Sequence, residues 1–477
     1  MPSYQATSGA GCVTRVLPKL ALAAATVAIG TLLVGVSSAS ALATGAVPNV
    51  VIILSDDQPV GTVGRMPYVG SKFKRRAVFF RNAMVPTSNC CPSRASLLTG
   101  LFPHATRVLS NAPPHGGWPV FHDRGLEDRT IAVALHQAGY RTGLIGKYMN
   151  HFLHRARAGY VPPGWDTFLT FTGHVGYYNY GLTNGQSYGR KPRDYSTDVL
   201  RRAAVRFIDS VPSEQPLFLY FAPFGPHRPS IPAPRHEGSW SGRLPSYHPP
   251  SVTAGVDDKP PWIRALAPQA QSTIDAARED VQETLMSVDG AVKAIVRALA
   301  QAGRISNTLV IYTSDNGVLM GDHHVLQRKN LPYDRSTRVP MLVRWHGHTR
   351  PGTTDRRLAL NVDIAATVAG AAGIDLPTEG LSLLGSEQRG GFPVESAPRG
   401  RSDSSPDRPA YCGYRTPNWM YVRYASGDRE LYSYKRDPWE IHNLEGSRRF
   451  RTQLRSLKAR AKASCSPVPP GYSWRLR

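Results

Sequence analysis

The stretch "VPNVVIILSDDQ", residues 47–58, decides the fold. Val50 to Leu54 is an unbroken aliphatic run, and it stops abruptly at Ser55, Asp56 and Asp57. A run with no polar alternation reads as a strand buried on both faces, which is the habit of parallel sheets covered by helices. The same form recurs along the chain. "TLVIYTSDNG" (308–317) ends in Asp315 and Asn316, "PLFLYFAPFGPH" (216–227) in His227, and "YRTGLIGKY" (140–148) in Lys147. Helical patterns such as "TIAVALHQAG" (130–139) and "VDGAVKAIVRALAQAG" (288–303) lie between these runs. The expected fold is therefore α/β, with a large mixed, mainly parallel sheet flanked by helices. Ligands of such sheets sit outside the carboxyl ends of the strands, so these scattered polar residues should converge there.

The chain has 477 residues and 41% hydrophobic content, enough for a large domain and a smaller one. Arg15 and Lys19 precede an apolar run from Leu20 to Val36 and the small-residue stretch "SSASALATGA" (37–46). This is the layout of a secretory signal peptide over residues 1–43, with a retained membrane anchor as the alternative. No other run approaches spanning length, so no stable membrane insertion is expected after cleavage. The formal charge is +23, and losing Arg15 and Lys19 leaves +21. A basic exported protein is suited to acidic glycans or anionic lipids, not nucleic acid. The plainer alternative is a general arginine-rich composition, since the charges are spread along the chain. Of five cysteines, Cys12 leaves with the leader. Cys412 and Cys465 are placed for a disulfide in an oxidising compartment, and Cys90 and Cys91 are left over.

The catalytic domain is expected over residues 47–384. The Gly-, Ser- and Pro-rich stretch 385–408 reads as a linker or loop. Residues 409–477 read as a small α+β domain, with an antiparallel sheet in "AYCGYRTPNWMYVRYASGDRELYSY" (410–434) and a basic amphipathic helix in "RRFRTQLRSLKARAK" (448–462).

In "SNCCPSRASLLTG" (88–100), Pro92 suits the first turn of a helix, which would put Cys90 just ahead of free backbone N–H groups. Arg94 on that turn adds a charge-assisted donor toward an anion. Two small cysteines filling a buried corner is the competing reading. Asp56, Asp57, Asp315 and Asn316 offer only oxygen ligands, the preference of Ca²⁺ or Mg²⁺. Lys147, His227 and Lys329 add cationic or proton-donating groups.

Together these residues resemble the type I sulfatases of the alkaline phosphatase superfamily. The hallmark Cys-x-Pro-x-Arg followed by Thr-Gly is matched from Cys90 to Gly100. "NVVIILSDDQ" and "TSDNG" look like the metal-binding pairs, "GYRTGLIGKY" like the lysine motif and "APFGPHRP" like the histidine motif. Lys329 takes the place of the second lysine, and "ELYSYKRDPWEIHNL" (430–444) resembles the signature of the small C-terminal domain. Cys-Cys-Pro-Ser-Arg with Gly-Lys-Tyr-x-Asn looks like the N-acetylglucosamine-6-sulfatase and heparan endosulfatase branch. Many members carry His where this chain has Met149, which leaves Asn150 or His151 as substitutes.

The resemblance implies that Cys90 is oxidised to formylglycine by a maturation enzyme, the formylglycine-generating enzyme. It also implies a divalent cation held by Asp56, Asp57, Asp315, Asn316 and the modified Cys90. Arg94, Lys147 and Lys329 would neutralise sulfate oxygens, and His227 or Lys329 would protonate the departing alcohol. The expected reaction is sulfate-ester hydrolysis, with a 6-O-sulfated amino sugar as substrate. Apart from the resemblance, loops 111–125 and 238–250 bear His115, Trp118, Trp240 and Tyr247, which are expected either to stack on or hydrogen-bond a sugar ring or to serve as packing residues. The rival readings are a phosphonate monoester or phosphodiester hydrolase using the same nucleophile, and a catalytically silent glycan-binding protein with unmodified Cys90.

Overall fold

The computed structural model describes residues 47–152, 156–157, 159–398 and 407–475. The leader expected over residues 1–43 lies outside them. Eight strands form the central sheet: β1 (Asn49–Ser55), β2 (Val78–Met84), β3 (Arg141–Gly146), β4 (Thr167–Leu169), β5 (Leu217–Ala222), β6 (Thr308–Ser314), β7 (Met341–Arg344) and β8 (Thr354–Leu360). Their spatial order is β8-β2-β7-β6-β1-β5-β3-β4. All neighbours pair in parallel except β7, which runs antiparallel to both β2 and β6.

The aliphatic run of β1 shows why the sheet is central. Val51 and Ile53 enter one hydrophobic cluster while Val50, Ile52 and Leu54 enter another, because successive strand side chains point to opposite faces. The first face is covered by α3 (Ser196–Ser210) and α4 (Gln271–Gln301), through residues such as Phe207 and Leu285. The second is covered by α1 (Cys90–Thr99), α2 (Ile131–Gln137) and α5 (Val362–Ala372), through Leu97, Leu135 and Val368. Two covered faces need a strand with no polar side, which is what the sequence supplies. Among the described residues, no helix is long and apolar enough to cross a membrane.

A second, antiparallel sheet runs in order through β9 (Phe392–Ser396), β10 (Tyr411–Arg415), β11 (Trp419–Tyr424) and β12 (Arg429–Ser433). The helix α6 (Arg451–Ser464) packs Leu457 and Ala461 onto Tyr421 and Leu431 of this sheet. Cys412 on β10 is disulfide-bonded to Cys465 just beyond α6, with their Cα atoms 6.3 Å apart. The expected linker over 385–408 requires a correction. Phe392–Ser396 within it is a fully buried strand paired to β10, because the short apolar alternation "FPVES" is enough for an edge strand despite the glycines and charges around it.

Candidate active site

Four adjacent strands of the central sheet, β6, β1, β5 and β3, deliver the polar residues that follow their carboxyl ends. The β1–β6 register pairs Ser55 with Ser314, so Asp56 and Asp57 lie beside Asp315 and Asn316. The loops are stitched to one another: Asp315 N–H donates to Ser55 O at 3.1 Å and Asp57 N–H to Asp315 Oδ1 at 3.1 Å. Asp56 N–H donates to Gly225 O at 3.2 Å, which ties in the loop after β5. Asp57 itself adopts φ 62°, a left-handed conformation that Asp tolerates better than most residues.

Lys147 follows β3 directly, and its N–H donates to Ala222 O at 2.8 Å. Gly146 makes that approach feasible, since a Cβ there would lie 2.0 Å from Ala222 O. Lys329 comes from a loop after β6 that is pinned to residue 88. Asn330 N–H donates to Ser88 O at 2.8 Å, and Ser336 Oγ–H to Ser88 Oγ at 2.8 Å.

Helix α1 begins at Cys90, one position earlier than the sequence reading placed it. Asn89 caps it by accepting from Cys90 N–H at 3.1 Å. The helix ends at Gly100, whose φ of 71° and 2.6 Å approach to the Thr378 methyl exclude a side chain. The expected anion cradle of free helix N–H groups is not present. Cys90 N–H is taken by Asn89, Cys91 N–H by Asn111 Oδ1 at 2.9 Å and Ser93 N–H by Asn89 O at 3.1 Å, while Pro92 has none. Positive charge comes from side chains instead. Lys147 Nζ lies 3.3 Å and Lys329 Nζ 2.9 Å from Cys90 Sγ, and Asp56 Oδ1 lies 3.7 Å away.

Lys147 Nζ also donates to Asp56 Oδ2 at 2.5 Å, and Lys329 Nζ to Asp57 Oδ1. Burial alone would raise the Asp56 carboxyl, but Lys147, His227 and Arg94 outweigh it and hold it at about 2. Burial likewise opposes the charged form of both lysines, yet Asp56 and Asp57 keep each above the ordinary lysine value. Burial pushes the Cys90 thiol up to about 12 despite the two lysines, so a plain thiol there is not a thiolate at neutral pH.

Arg94 is fully buried and is held by the carboxylates of the cluster. Its Nε donates to Asp315 Oδ2 at 2.9 Å, its Nη1 to Lys147 O at 2.6 Å, and its Nη2 lies 3.6 Å from Asp56 Oδ2. These contacts tie Asp56 and Asp315 to one guanidinium.

His227 Nε2 lies 3.5 Å from Asp57 Oδ2, and Nδ1 is 2.7 Å from the Arg228 carbonyl, which can only accept, so the Nδ1 atom carries a proton. Burial lowers its pKa, with Asp57 and Asp56 opposing.

The ligating atoms of Asp56, Asp57, Cys90 and His227 lie within 4.8 Å of one another. Asn316 donates its Nδ2 to Asp57 Oδ1 at 2.7 Å, while its Oδ1 is buried with no hydrogen-bond partner among the described residues. A buried carbonyl oxygen with no donor, beside two carboxylates, is what a hard cation would satisfy.

Met149 is buried in the second cluster and contributes nothing to this centre. Asn150 serves Cys91: its N–H donates to Cys91 Sγ at 3.1 Å, and the thiol lies 3.4 Å from Asn150 Oδ1. Trp118 is buried, its Nε1–H donating to Glu127 Oε1 at 2.8 Å, so it packs and does not offer a face to a sugar. Tyr247 lies under Arg278, whose guanidinium is 4.8 Å from its ring centre. The cavity that opens at His227 is instead lined by His174, Tyr177, Arg190, Phe224 and Arg228, with a volume of about 720 Å³. Tyr177 donates its hydroxyl to His227 O at 2.5 Å. The aromatic loop "FTGHVGYYNYGL" (171–182) carries that signal in its crowded tyrosines.

The sulfatase family model matches residues 48–374. The chain belongs to the sulfatase family. It is 33% identical over 353 residues to a Caenorhabditis elegans protein named putative extracellular sulfatase Sulf-1 homolog, covering 70% of this chain and 48% of that one. It is 32% identical over 357 residues to the Homo sapiens N-acetylglucosamine-6-sulfatase, covering 71% and 64%. The chain thus spans about half to two-thirds of the length of these curated relatives. A solved structure described as a complex with its substrate D-glucosamine-2-N,6-O-disulfate superposes with a TM-score of 0.74 at 21% identity, covering 88% of this chain and 97% of that one. A phosphonate monoester hydrolase from Silicibacter pomeroyi shares the fold at a TM-score of 0.69 and 19% identity, covering 88% and 95%.

Removing Arg94 should leave Asp56 and Asp315 buried without their shared cation. Arg94→Met is expected to lower stability by about 3–5 kcal/mol in urea unfolding monitored by circular dichroism. A loss below about 1 kcal/mol would show that the carboxylates do not depend on it.

Proposed function

We propose that this protein is a formylglycine-dependent sulfatase that hydrolyses sulfate esters of an extracytoplasmic glycan, with a 6-O-sulfated amino sugar as substrate. The observation that carries the reading is the pair of ammonium groups at 3.3 and 2.9 Å from Cys90 Sγ, on the rim of an all-oxygen cluster. The sulfur marks where the oxygens of a modified residue 90 would stand.

Formylglycine at residue 90, once hydrated, supplies one hydroxyl to attack sulfur and a second that lets the aldehyde be restored as sulfate leaves. A divalent cation, Ca²⁺ or Mg²⁺, supplies positive charge against the sulfate oxygens, and Asp56, Asp57, Asp315, Asn316 and residue 90 would hold it. Lys147 and Lys329, both adjacent to residue 90, bind the sulfate oxygens and oppose the charge that builds on them. Arg94 positions Asp56 and Asp315 and acts through them. The departing alcohol takes its proton either from the Lys329 ammonium, which Asp57 keeps charged, or from His227 Nε2 in the doubly protonated ring, since Nδ1 keeps its own proton against the Arg228 carbonyl.

The cavity beside His227 is of a size suited to a small ligand. Its aromatic walls suit a sugar ring, and Arg190 and Arg228 outnumber Glu237 among its charged lining residues, which favours an anionic one. The leader-like N-terminus and the Cys412–Cys465 disulfide support an extracytoplasmic location.

Cys90→Ala should lower kcat at least about a thousandfold, as removal of a nucleophile does. Cys91→Ala should stay within about tenfold and lose about 1–2 kcal/mol of stability, because the Asn150 N–H loses its acceptor. Mass spectrometry of the peptide bearing residue 90 should show the aldehyde in active protein from its own host. A thiol there in fully active protein would sink the nucleophile assignment, and a thiol in inactive protein would favour the silent glycan binder.

Elemental analysis of active protein should find about one Ca²⁺ or Mg²⁺ per chain, and Asn316→Leu should weaken its binding at least about tenfold in calorimetric titration. Stoichiometric zinc, without calcium or magnesium, would contradict the ligand set.

A panel of an aryl sulfate, an aryl phosphonate monoester and sulfated amino-sugar oligosaccharides tests the substrate. The oligosaccharides should show the highest kcat/KM. If the phosphonate leads, the sulfatase reading fails. If only the aryl sulfate is cleaved, the glycan is wrong and the chemistry stands.

A further inference from the structure

Helix α6 carries charges that its folding does not require. Its inner face, Leu454, Leu457 and Ala461, packs on the antiparallel sheet, and the disulfide at Cys465 anchors its end. At 3.6 residues per turn, positions 451, 455, 458 and 462 fall in one line along the helix. Arg451, Arg455, Lys458 and Lys462 occupy them, and all four are exposed. The row extends ~16 Å at about 1.5 Å per residue. Arg448 and Arg449, also exposed, precede it in the chain.

No ion pair among the described residues involves any of the four. The chain from Gly446 to Arg477 contains nine arginines and lysines and no acidic residue. Each like-charged neighbour at three or four residues disfavours the helix. Arg451 makes the start worse: it is the first helical residue, at the positive end of the dipole, with no side-chain cap and no acid in the first turn. A segment that violates local electrostatic preference without a compensating partner inside the fold is a place to look for a partner outside it.

We propose that the row Arg451–Arg455–Lys458–Lys462 is a second binding site, remote in sequence from the catalytic residues, for a sulfated polysaccharide chain. The choice of a sulfated glycan over other polyanions rests on the proposed function; the cationic row itself does not. A linear polyanion laid along the helix releases counterions from itself as each cation replaces them, so binding weakens as salt rises. The site holds a polymeric substrate near the enzyme between turnovers and gives nothing to a monomeric one.

The test uses the full-length protein and heparin as the probe. The variant combines Arg451→Gln, Arg455→Gln, Lys458→Gln and Lys462→Gln. A control removes as much charge from exposed positions elsewhere, through Arg206→Gln, Arg264→Gln, Lys293→Gln and Arg297→Gln. At about 150 mM salt the α6 variant should bind heparin at least about tenfold more weakly than the parent, with a shallower salt dependence, while the control stays within about threefold. Both should cleave an aryl sulfate as the parent does, and only the α6 variant should show a raised KM on the polymer. Equal heparin binding by parent and α6 variant would overturn the proposal, as would an equal loss in the control, which would assign the effect to net charge. Tighter binding of the row to a DNA duplex or to anionic lipid vesicles than to heparin would overturn the ligand class. A parent that binds heparin through the row but cleaves no sulfate ester would leave this site standing and remove the sulfatase reading.

Discussion

Three carboxylates and an amide meet at the ends of two neighbouring strands, and that crowding is the constraint on which the rest of the structure depends. The register of β1 against β6 makes the encounter unavoidable once the two strands pair. Asp56, Asp57 and Asp315 are all buried, and burying like charges together is strongly unfavourable unless cations are buried with them. Each compensating cation arrives on a different element: Arg94 on α1, Lys147 on the end of β3, Lys329 on a loop beyond β6. The site therefore exists only when the sheet order is complete. Its electrostatics and its topology are one requirement, since no local segment carries both signs of charge.

The antiparallel sheet belongs to the same requirement. Asn330, next to Lys329, accepts at Oδ1 from Ser396 Oγ at 2.9 Å, and its carbonyl accepts from Arg408 Nε at 2.5 Å. A few residues on, Asp334 is paired with Arg338 and with Arg415 of β10, and its N–H donates to Glu440 at 2.9 Å. Ser336 closes the circuit onto Ser88, two residues before Cys90. The C-terminal sheet thus braces the segment that delivers Lys329 and, through Ser88, the start of α1.

The sheet, its parallel sense and the convergence at its carboxyl edge were legible because unbroken apolar runs have one economical use in a soluble fold. Asp56, Asp57, Lys147, His227, Asp315 and Asn316 were legible for the same reason, since each follows such a run. What could not be read was direction. Pro92 suggested a helix with open N–H groups, but Asn89 and Asn111 occupy them, and a side chain from a separate loop is invisible to a local motif. The ion pairs of Arg94 could not be read from its motif, because Asp315 and Asp56 are contributed by distant strands. Trp118 looked like a sugar platform until Glu127 claimed its indole N–H. Phe392–Ser396 was hidden by composition, because five residues of alternation are easily lost among glycines and charges.

The adjacent cysteines show how far one residue of helix rotation separates two chemically identical groups. Cys90 and Cys91 are both buried, and burial pushes both thiols up to about 12. Consecutive helical residues differ by roughly 100° around the axis, so the atoms in direct contact with each sulfur differ. Cys90 Sγ meets two ammonium groups and a carboxylate, while Cys91 Sγ meets the backbone and amide of Asn150 in the apolar layer under α1. The chemical difference between them lies in these partners and not in acidity. One position is surrounded by cations that can bind an anion, and the other by a single neutral residue that satisfies its thiol within the apolar layer. Cys91 is accounted for by the core, whereas the core gives no reason for the two lysines that converge on Cys90.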